Sequence, residues 1–454
     1  MRVAVIGAGP AGLFLGSALA GRGHDVVAVD RDTRPPPGHW ARPGVMQFHH
    51  AHGFRAQVGR ALEREWPLAL DAWLALGAEP ITVDVPGMGR VRAGHRSRRD
   101  TFERALRTTA DSVPGLTIGR GHVDGVTSAD GRVTGIVVDG SPVEADLVVD
   151  ASGRSGRSVD ALRAPASVGG PCGMAYVDRQ YRLHDGAEPG PMAGPLAWVA
   201  NFDGYQVLVF LHEQGHFSVV LVRPTADAAL KSLRHEAAFE AACRAIPGLA
   251  AWTDPDRAAP VTDVLPGGAL YNTYRGQAGR DGRSFIPGLV SVGDAVATTT
   301  PIFGRGVAMT YLQARHLLAL LDSEPDPGLV GEPFDAWCEE NMLPWVADHV
   351  RMDTDAVRRW EGGDVDVSCQ LPSDLILAAA ERDPAIGPAT GGYISMLRLP
   401  SCLNPVEPLA RAVYESGWRP AFTPGPTRAE LRDVVAAALE RDGALASPAH
   451  GRSG

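Results

Sequence analysis

Near the start of the chain, Gly7-Ala8-Gly9-Pro10-Ala11-Gly12 has the G-x-G-x-x-G spacing that brings a backbone close to a pyrophosphate. The motif follows a β-branched run at residues 3–6 and opens a stretch of helix-like apolar content at 13–20, the strand–turn–helix context the spacing needs. Gly7 suits the tight turn, Gly9 the close approach of phosphate, and Gly12 the packing of helix on sheet. The helix N-terminus adds unpaired N–H donors and partial positive charge, so no lysine is required. Asp30 ends a second strand-like run at 25–30, eighteen residues beyond Gly12. A carboxylate there accepts hydrogen bonds from ribose hydroxyls and disfavours a 2′-phosphate. On these residues alone the dinucleotide is NAD or FAD.

A second motif lies near the far end of the chain. Gly293-Asp294-Ala295, with Pro301, Gly304 and Gly306, follows a buried-strand run at 289–292 and precedes a helical run at 306–321. A nicotinamide dinucleotide has no use for it. FAD does, because its ribityl chain and isoalloxazine reach further and call for a carboxylate on a ribityl hydroxyl and a second helix N-terminus under the pyrimidine ring. This GD followed by P-x-x-G-x-G resembles the flavoprotein monooxygenases of the p-hydroxybenzoate hydroxylase fold, and the spaced motifs of nearly the whole chain share the resemblance. Arg99-Asp100-Thr101-Phe102-Glu103-Arg104-Ala105-Leu106 is similar to that family's R-x-x-L-x-x-x-L element, which implies a place for Arg99 near the ribityl-phosphate region. Asp150-Ala151-Ser152-Gly153-Arg154-Ser155 resembles the DATGRGS form of polyether-type epoxidases, geranylgeranyl reductases and flavin halogenases, not the DG-x-x-S form of aromatic hydroxylases. The loop from Arg42 through Gln47 to His50 and His52 looks like the epoxidase subgroup's R-x-G-V-P-Q-x-x-H-x-H, with Met46 where proline is usual.

The resemblance implies a cofactor-binding set of Gly7, Gly9, Pro10, Ala11, Gly12, Asp30, Arg31, Arg42, Gln47, Arg99, Val123, Asp294, Pro301, Gly304, Gly306 and Val307, with no catalytic residue assigned. It implies an epoxidase-like FAD monooxygenase of secondary metabolism. Reduced FAD and O₂ would form a C4a-hydroperoxide that transfers one oxygen atom, by epoxidation or hydroxylation, to a largely apolar small molecule. Electrons would come from NAD(P)H, directly or through a flavin reductase. Because flavin supplies the hard step, the absence of an acid–base or nucleophile motif says nothing. An oxidase or dehydrogenase working by hydride transfer at flavin N5 would use the same cradle, and so would a prenyl reductase, although no Y-x-W-x-F-P-like segment is present. A halogenase would carry W-x-W-x-I-P and a lysine, whereas the chain's single lysine, Lys231, sits in a helix-like surface run. A non-catalytic FAD-binding module is the remote alternative. His49, His50 and His52 are too tightly spaced to converge on one ion and have no companion carboxylate or cysteine, so no metal site is expected.

These motifs need an α/β frame. The expected fold class is a Rossmann-type FAD-binding domain, a parallel sheet plus a β-meander, with an inserted strand-rich substrate domain and a helical C-terminal region. The corresponding spans are 1–166 with 271–330, 167–270, and 331–454. Within this frame a helix is expected from 54 to 76 and another near 228–245, with turns at Ala129-Asp130-Gly131 and Asp139-Gly140. Tyr176, Tyr181, Tyr205, Phe210 and Phe217 are expected to roof the substrate, and residues 442–454 read as a frayed tail. A length of 454 residues fits two or three lobes. The net charge of −10 offers no general attraction for nucleic acid or anionic lipid, and no apolar run approaches the roughly 18 residues of a membrane span. Five scattered cysteines without a CxxC pair, and an N-terminus that begins at once with a strand, point to a reducing cytoplasm.

Overall fold

The computed structural model describes residues 1–85, 89–154, 156–192, 194–279 and 286–446. Five parallel strands form the first sheet, in the order Leu289–Ser291, Leu147–Asp150, Arg2–Ile6, Asp25–Asp30 and Leu116–Arg120. Val5 sits opposite both Val149 and Ala28. These strands are short apolar runs because both faces are covered, as parallel sheets require. On one face Leu13, Phe14 and Leu15 of the first helix, Pro10–Gly21, pack with Phe54, Trp73, Phe102 and Tyr311. On the other, Ala4, Ile6 and Val148 meet Val123, Val133 and Ile136 of a three-stranded meander, Val123–Ala129, Arg132–Val138 and Ser141–Glu144. Its two hairpin turns place Asp130 and Gly131, then Asp139 and Gly140, at positive φ, the twist-matched geometry that Asp-Gly favours.

The second sheet is antiparallel, ordered Ala197–Phe202, Tyr205–Leu211, His216–Pro224, Val168–Leu183, Leu265–Tyr274 and Ala297–Thr298, with Ala258–Pro260 also paired to Val168–Leu183. Strand Leu265–Tyr274 runs through position 270, and the Ala297–Thr298 pairing stitches the second sheet to the segment that carries Asp294. Period-two alternation sorts its side chains. Tyr205, Val207, Val209 and Leu211 face Phe239, Trp252 and the last helix, whereas Leu208 and Phe210 face the opposite way with Tyr176, Val220 and Val222. Tyr181, Tyr205 and Phe217 therefore lie on the helix-covered face, and of the five aromatics expected to roof the substrate only Tyr176 and Phe210 lie on the opposite face, where both line a narrow cleft. Trp198 belongs to the helix-covered core, where its ring packs on Gly248.

The expected helix at 54–76 is two helices, Ala56–Glu65 and Pro67–Ala75, after a two-residue strand, Phe54–Arg55. Pro67 has no N–H to continue the first helix, but it suits the first turn of the second. The helix expected near 228–245 begins at Glu236, after a 3₁₀ turn at Leu230–Arg234. The C-terminal third is helical, and its last helix, Arg428–Ala446, returns to the second sheet's core through Leu431 and Val435. Thr427 and Glu430 open that helix with a reciprocal capping box, the Thr427 N–H reaching Glu430 at 2.8 Å and the Glu430 N–H reaching Thr427 Oγ1 at 3.3 Å. Residues 442–446, expected to fray, continue it; the rest of that expected tail lies outside the described residues. Among the described residues no helix is long and apolar enough to cross a membrane.

Candidate cofactor and substrate site

Gly7 takes φ +98°, and a Cβ there would stand 2.7 Å from the Ala151 carbonyl oxygen of the adjoining strand end. Its N–H donates to Val29 O at 2.8 Å, which tightens the turn. At Gly12 a Cβ would fall 1.9 Å from Gly7 O, so the first helix can rest on the turn only with glycine there. Gly9 is the N-cap of that helix and has no side chain to satisfy its opening N–H groups. Those donors open onto a cavity of about 710 Å³, a volume in the range of small-molecule sites.

Asp30 closes the second strand at the cavity wall. Its Oδ2 accepts the Ala8 N–H and Arg42 Nη2, both at 2.7 Å, and its Oδ1 accepts the Asp32 N–H at 2.9 Å, which leaves Oδ1 a lone pair for a further donor. Arg42 also binds Asp32 at 3.2 Å and the fully buried Glu103. Burial works against its charge, yet Glu103 and Asp30 outweigh that and hold its pKa well above the ordinary arginine value. The guanidinium lies above the Gly9 turn, with Nη1 3.9 Å from where a Gly9 Cβ would stand. An anion at this helix N-terminus would thus have a cation beside it. Arg99 opens helix Arg99–Ala110, donates to Glu103 at 2.5 Å and approaches His52 Nε2 at 3.0 Å.

At the other end of the cavity, Asp294 sits in the turn Gly293–Ala295 with its carboxylate partly buried. Among the described residues it makes no side-chain hydrogen bond or ion pair. Burial pushes its pKa up, and the charges of Arg99 and Arg154 only partly offset this. Such an unpartnered, desolvated acceptor is what a hydroxyl-bearing ligand chain would satisfy. Gly304, at φ +58°, lets the following loop pass against Gly53, whose Cα would lie 3.4 Å from a Gly304 Cβ. Helix Gly306–Ser323 then starts without a side-chain cap and presents a second set of open N–H donors. Behind this loop Arg305 is fully buried among the rings of Phe303, Trp345 and Tyr393, at 4.8, 4.5 and 4.5 Å, with Asp348 at 3.4 Å. Thr300 is held by Asn272 at 2.8 Å and by Asp353 at 2.9 Å, and burial pushes the Asp353 pKa up to about 6.

The sequence-predicted cofactor set therefore converges: all of it but Gly12 lines the one cavity, and Gly12 lies beneath its turn. The histidine loop is its third wall. His52 accepts from Arg99 through Nε2 and reaches the His50 carbonyl through Nδ1 at 2.9 Å; burial first, and Arg99 second, press its pKa well below the usual value. His49 stacks on His39, and His50 turns to Asp178. The three rings thus point to different partners, and among the described residues no cluster of histidine, cysteine or carboxylate could hold an ion. Sequence reasoning missed Asp178 and Gln180, which fasten this loop to the second sheet by accepting the Ala51 N–H at 2.9 Å and donating to His49 O at 2.6 Å. The signal was present: both share Tyr176's side of the strand, where polar residues interrupt an apolar alternation. Arg154, singled out in the Asp150–Arg154 motif but given no role there, lays its guanidinium 4.7 Å over the Tyr271 ring at the cavity wall.

Comparison with known proteins bears on the fold that carries this geometry. Residues 1–178 match the FAD binding domain family. The match ends inside strand Val168–Leu183, so it includes the Gly7 turn, Asp30, Arg42 and Arg99 but not the Asp294 motif. Among curated proteins, the chain is 28% identical over 440 residues to Protein Rv3254 of Mycobacterium tuberculosis, covering 84% of this chain and 86% of that one. Among solved structures, a triple mutant of the flavin-dependent brominase Bmp2 superposes with TM-score 0.58 at 16% identity, covering 91% of this chain and 98% of that one. The myxobacterial chondrochloren halogenase CndH gives 0.55 at 17%, covering 97% and 96%. PqsL of Pseudomonas aeruginosa, described as a probable FAD-dependent monooxygenase, gives 0.55 at 16%, covering 80% and 98%. The fold is the FAD-binding α/β fold expected from the motifs.

Proposed function

We propose that the protein is an FAD-dependent monooxygenase that adds one oxygen atom of O₂, by epoxidation or hydroxylation, to a largely apolar small molecule. The observation that carries this reading is one continuous cavity in which the Gly7 turn, the lone Asp294 carboxylate and two uncapped helix N-termini meet the inner face of the antiparallel sheet. Reduced FAD, when bound, supplies the electrons and the activation of O₂. The chain's residues bind, orient and exclude water. Asp30 would accept from the ribose, the Gly9 turn with Arg42 would face the pyrophosphate, and Asp294 with Arg99 would hold the ribityl chain. The N–H groups at Gly306 and Val307 would stabilise negative charge on the pyrimidine edge of the ring. Gln47, Arg31 and Val123 complete the wall. The epoxidase-like loop at Arg42, Gln47, His50 and His52 and the apolar sheet face support an apolar substrate, with NAD(P)H, directly or through a flavin reductase, as electron source.

The likeness to a brominase and a halogenase makes halogenation the second reading. The lysine expected of that chemistry is missing from the cavity: Lys231, the only lysine in the sequence, is exposed on the turn Leu230–Arg234. The deciding experiment is turnover of holo-protein with NADH or NADPH, with and without an added flavin reductase, under ¹⁸O₂ and in the presence of bromide. One labelled oxygen in the product supports monooxygenation. A brominated product, or a desaturated or reduced product without label, replaces it with the halogenase or the hydride-transfer reading.

A further inference from the structure

A histidine in the cavity wall, His50, and a buried acid behind it, Asp178, are not used by the cofactor reading. Asp178, in strand Val168–Leu183, is fully buried. Its Oδ2 accepts the Ala51 N–H at 2.9 Å, and its Oδ1 lies 3.0 Å from His50 Nδ1. That second contact is at ion-pair distance but bent away from a linear hydrogen bond, since neither atom has an aligned partner. A buried carboxylate needs a cation or donors close by. The adjacent Arg179 does not serve, because it points to the other side of the strand and pairs with Glu236 and Glu240. His50 is the group that answers Asp178.

His50 is only 4% exposed, and what it exposes faces the cavity it lines beside Tyr176, whose ring stands edge-on at 5.1 Å. With Nδ1 turned to Asp178, Nε2 is left for the cavity, and no described residue hydrogen-bonds to it. A neutral ring whose protonated Nδ1 faces a carboxylate presents Nε2 as an acceptor. Past Tyr176 the wall is wholly apolar, with Leu208, Phe210, Val220, Leu270 and Ile302 closing on a narrow cleft of about 20 Å³. One polar atom at the edge of an apolar wall is the arrangement that orients an apolar molecule by a single group.

We propose that His50, oriented by Asp178, is a specificity-determining residue that accepts a hydrogen bond from a hydroxyl of the substrate, whose apolar body lies on the inner face of the antiparallel sheet. This rests on the monooxygenase reading for calling the ligand a substrate. A site with a buried acceptor rejects the analogue that lacks the donor, because the acceptor is then left dry and unpaired.

The test uses FAD-loaded protein and two probes of nearly equal shape, 2-naphthol and 2-methylnaphthalene, with Kd read from the change in flavin absorbance. The expected result is tighter binding of the naphthol by about fivefold to a hundredfold, the range of one hydrogen bond in a dry site. His50→Phe removes that preference and leaves methylnaphthalene binding intact. His50→Gln, which retains an acceptor, keeps part of it. Asp178→Asn still accepts the Ala51 N–H but removes the carboxylate charge that faces His50 Nδ1, and it lowers the ratio without weakening the apolar probe. A merely structural role would weaken both probes together. Equal binding by the wild type, a preference that survives in His50→Phe, or failure of both probes at millimolar concentration overturns the proposal. A chain that takes up no FAD sinks the monooxygenase reading and this one with it, whereas a holo-protein that binds the two probes alike sinks only this one.

Discussion

Replacing Asp294 by alanine should move two quantities in opposite directions. The carboxylate is partly buried, has no partner among the described residues, and has its pKa raised by burial against the pull of Arg99 and Arg154. A hydroxyl donating to a charged acceptor contributes about 1.5–3 kcal/mol, so FAD affinity should fall by roughly tenfold to a hundredfold or slightly more in Asp294→Ala. The apo-protein should instead become more stable near neutral pH, because the variant no longer holds an unpaired charge out of water. The pH dependence has a definite sign. With its folded pKa above the unfolded one, Asp294 takes up a proton more readily in the folded state, so its unfavourable contribution is absent below the ordinary carboxylate value. It grows as pH climbs toward the raised value and is complete above it. Apo wild type should therefore lose stability relative to Asp294→Ala across that window, and wild-type FAD binding should weaken as pH falls through the same window and the acceptor loses its charge. Flavin fluorescence recovery on dilution gives the dissociation constant, and urea melts of apo-protein at several pH values give the stability difference. An unchanged dissociation constant, or an apo variant that is less stable at neutral pH, would refute the role given to Asp294.

Gly12→Ala puts a methyl 1.9 Å from Gly7 O and should destabilise the fold by about 1–3 kcal/mol or more, read as a lower urea midpoint; an unchanged midpoint would mean that the helix does not rest on the turn. Arg42→Ala leaves Asp30, Asp32 and the buried Glu103 facing one another, and should cost somewhat less than the about 3–5 kcal/mol of a broken buried pair, because Arg99 still holds Glu103. Arg42→Lys should not rescue it, since one ammonium cannot reach three acids; full recovery of the denaturation midpoint by lysine would contradict the geometry. Asp353, with a folded pKa of about 6, favours its protonated form, so it removes stability as pH rises from about 4 to about 6 and the loss is complete above that. Asp353→Asn, which can still accept from Asn272 and Thr300, should raise stability at pH 7 by about 2–3 kcal/mol and flatten the pH profile; a profile identical to wild type would show that the carboxylate is not desolvated.

What could be read from the sequence was what depends on local chain geometry. The Gly7 turn, the strand end at Asp30, the turn that holds Asp294 and the Asp-Gly hairpins are each set by a few adjacent residues, and their side-chain types name the conformation. The cavity in which they meet followed because a parallel sheet places successive strand ends on one edge. What escaped depends on partners far along the chain. The run from Tyr205 to Leu211 announces a two-faced strand, but which of its faces packs on Phe239, Trp252 and Leu431 is decided by those residues, more than twenty positions away. Arg305 stands within the P-x-x-G-x-G segment, and the motif gives no sign that it turns inward, where Trp345 and Tyr393, from the C-terminal helices, close over it. Asp178 has the same logic. A carboxylate in the middle of an apolar strand is costly unless something answers it, and His50, 128 residues earlier, is what answers. A polar residue that a fold retains against such a cost marks a contact that local pattern cannot name, and in this chain the strongest such mark lies where the histidine loop, the sheet and the cavity meet.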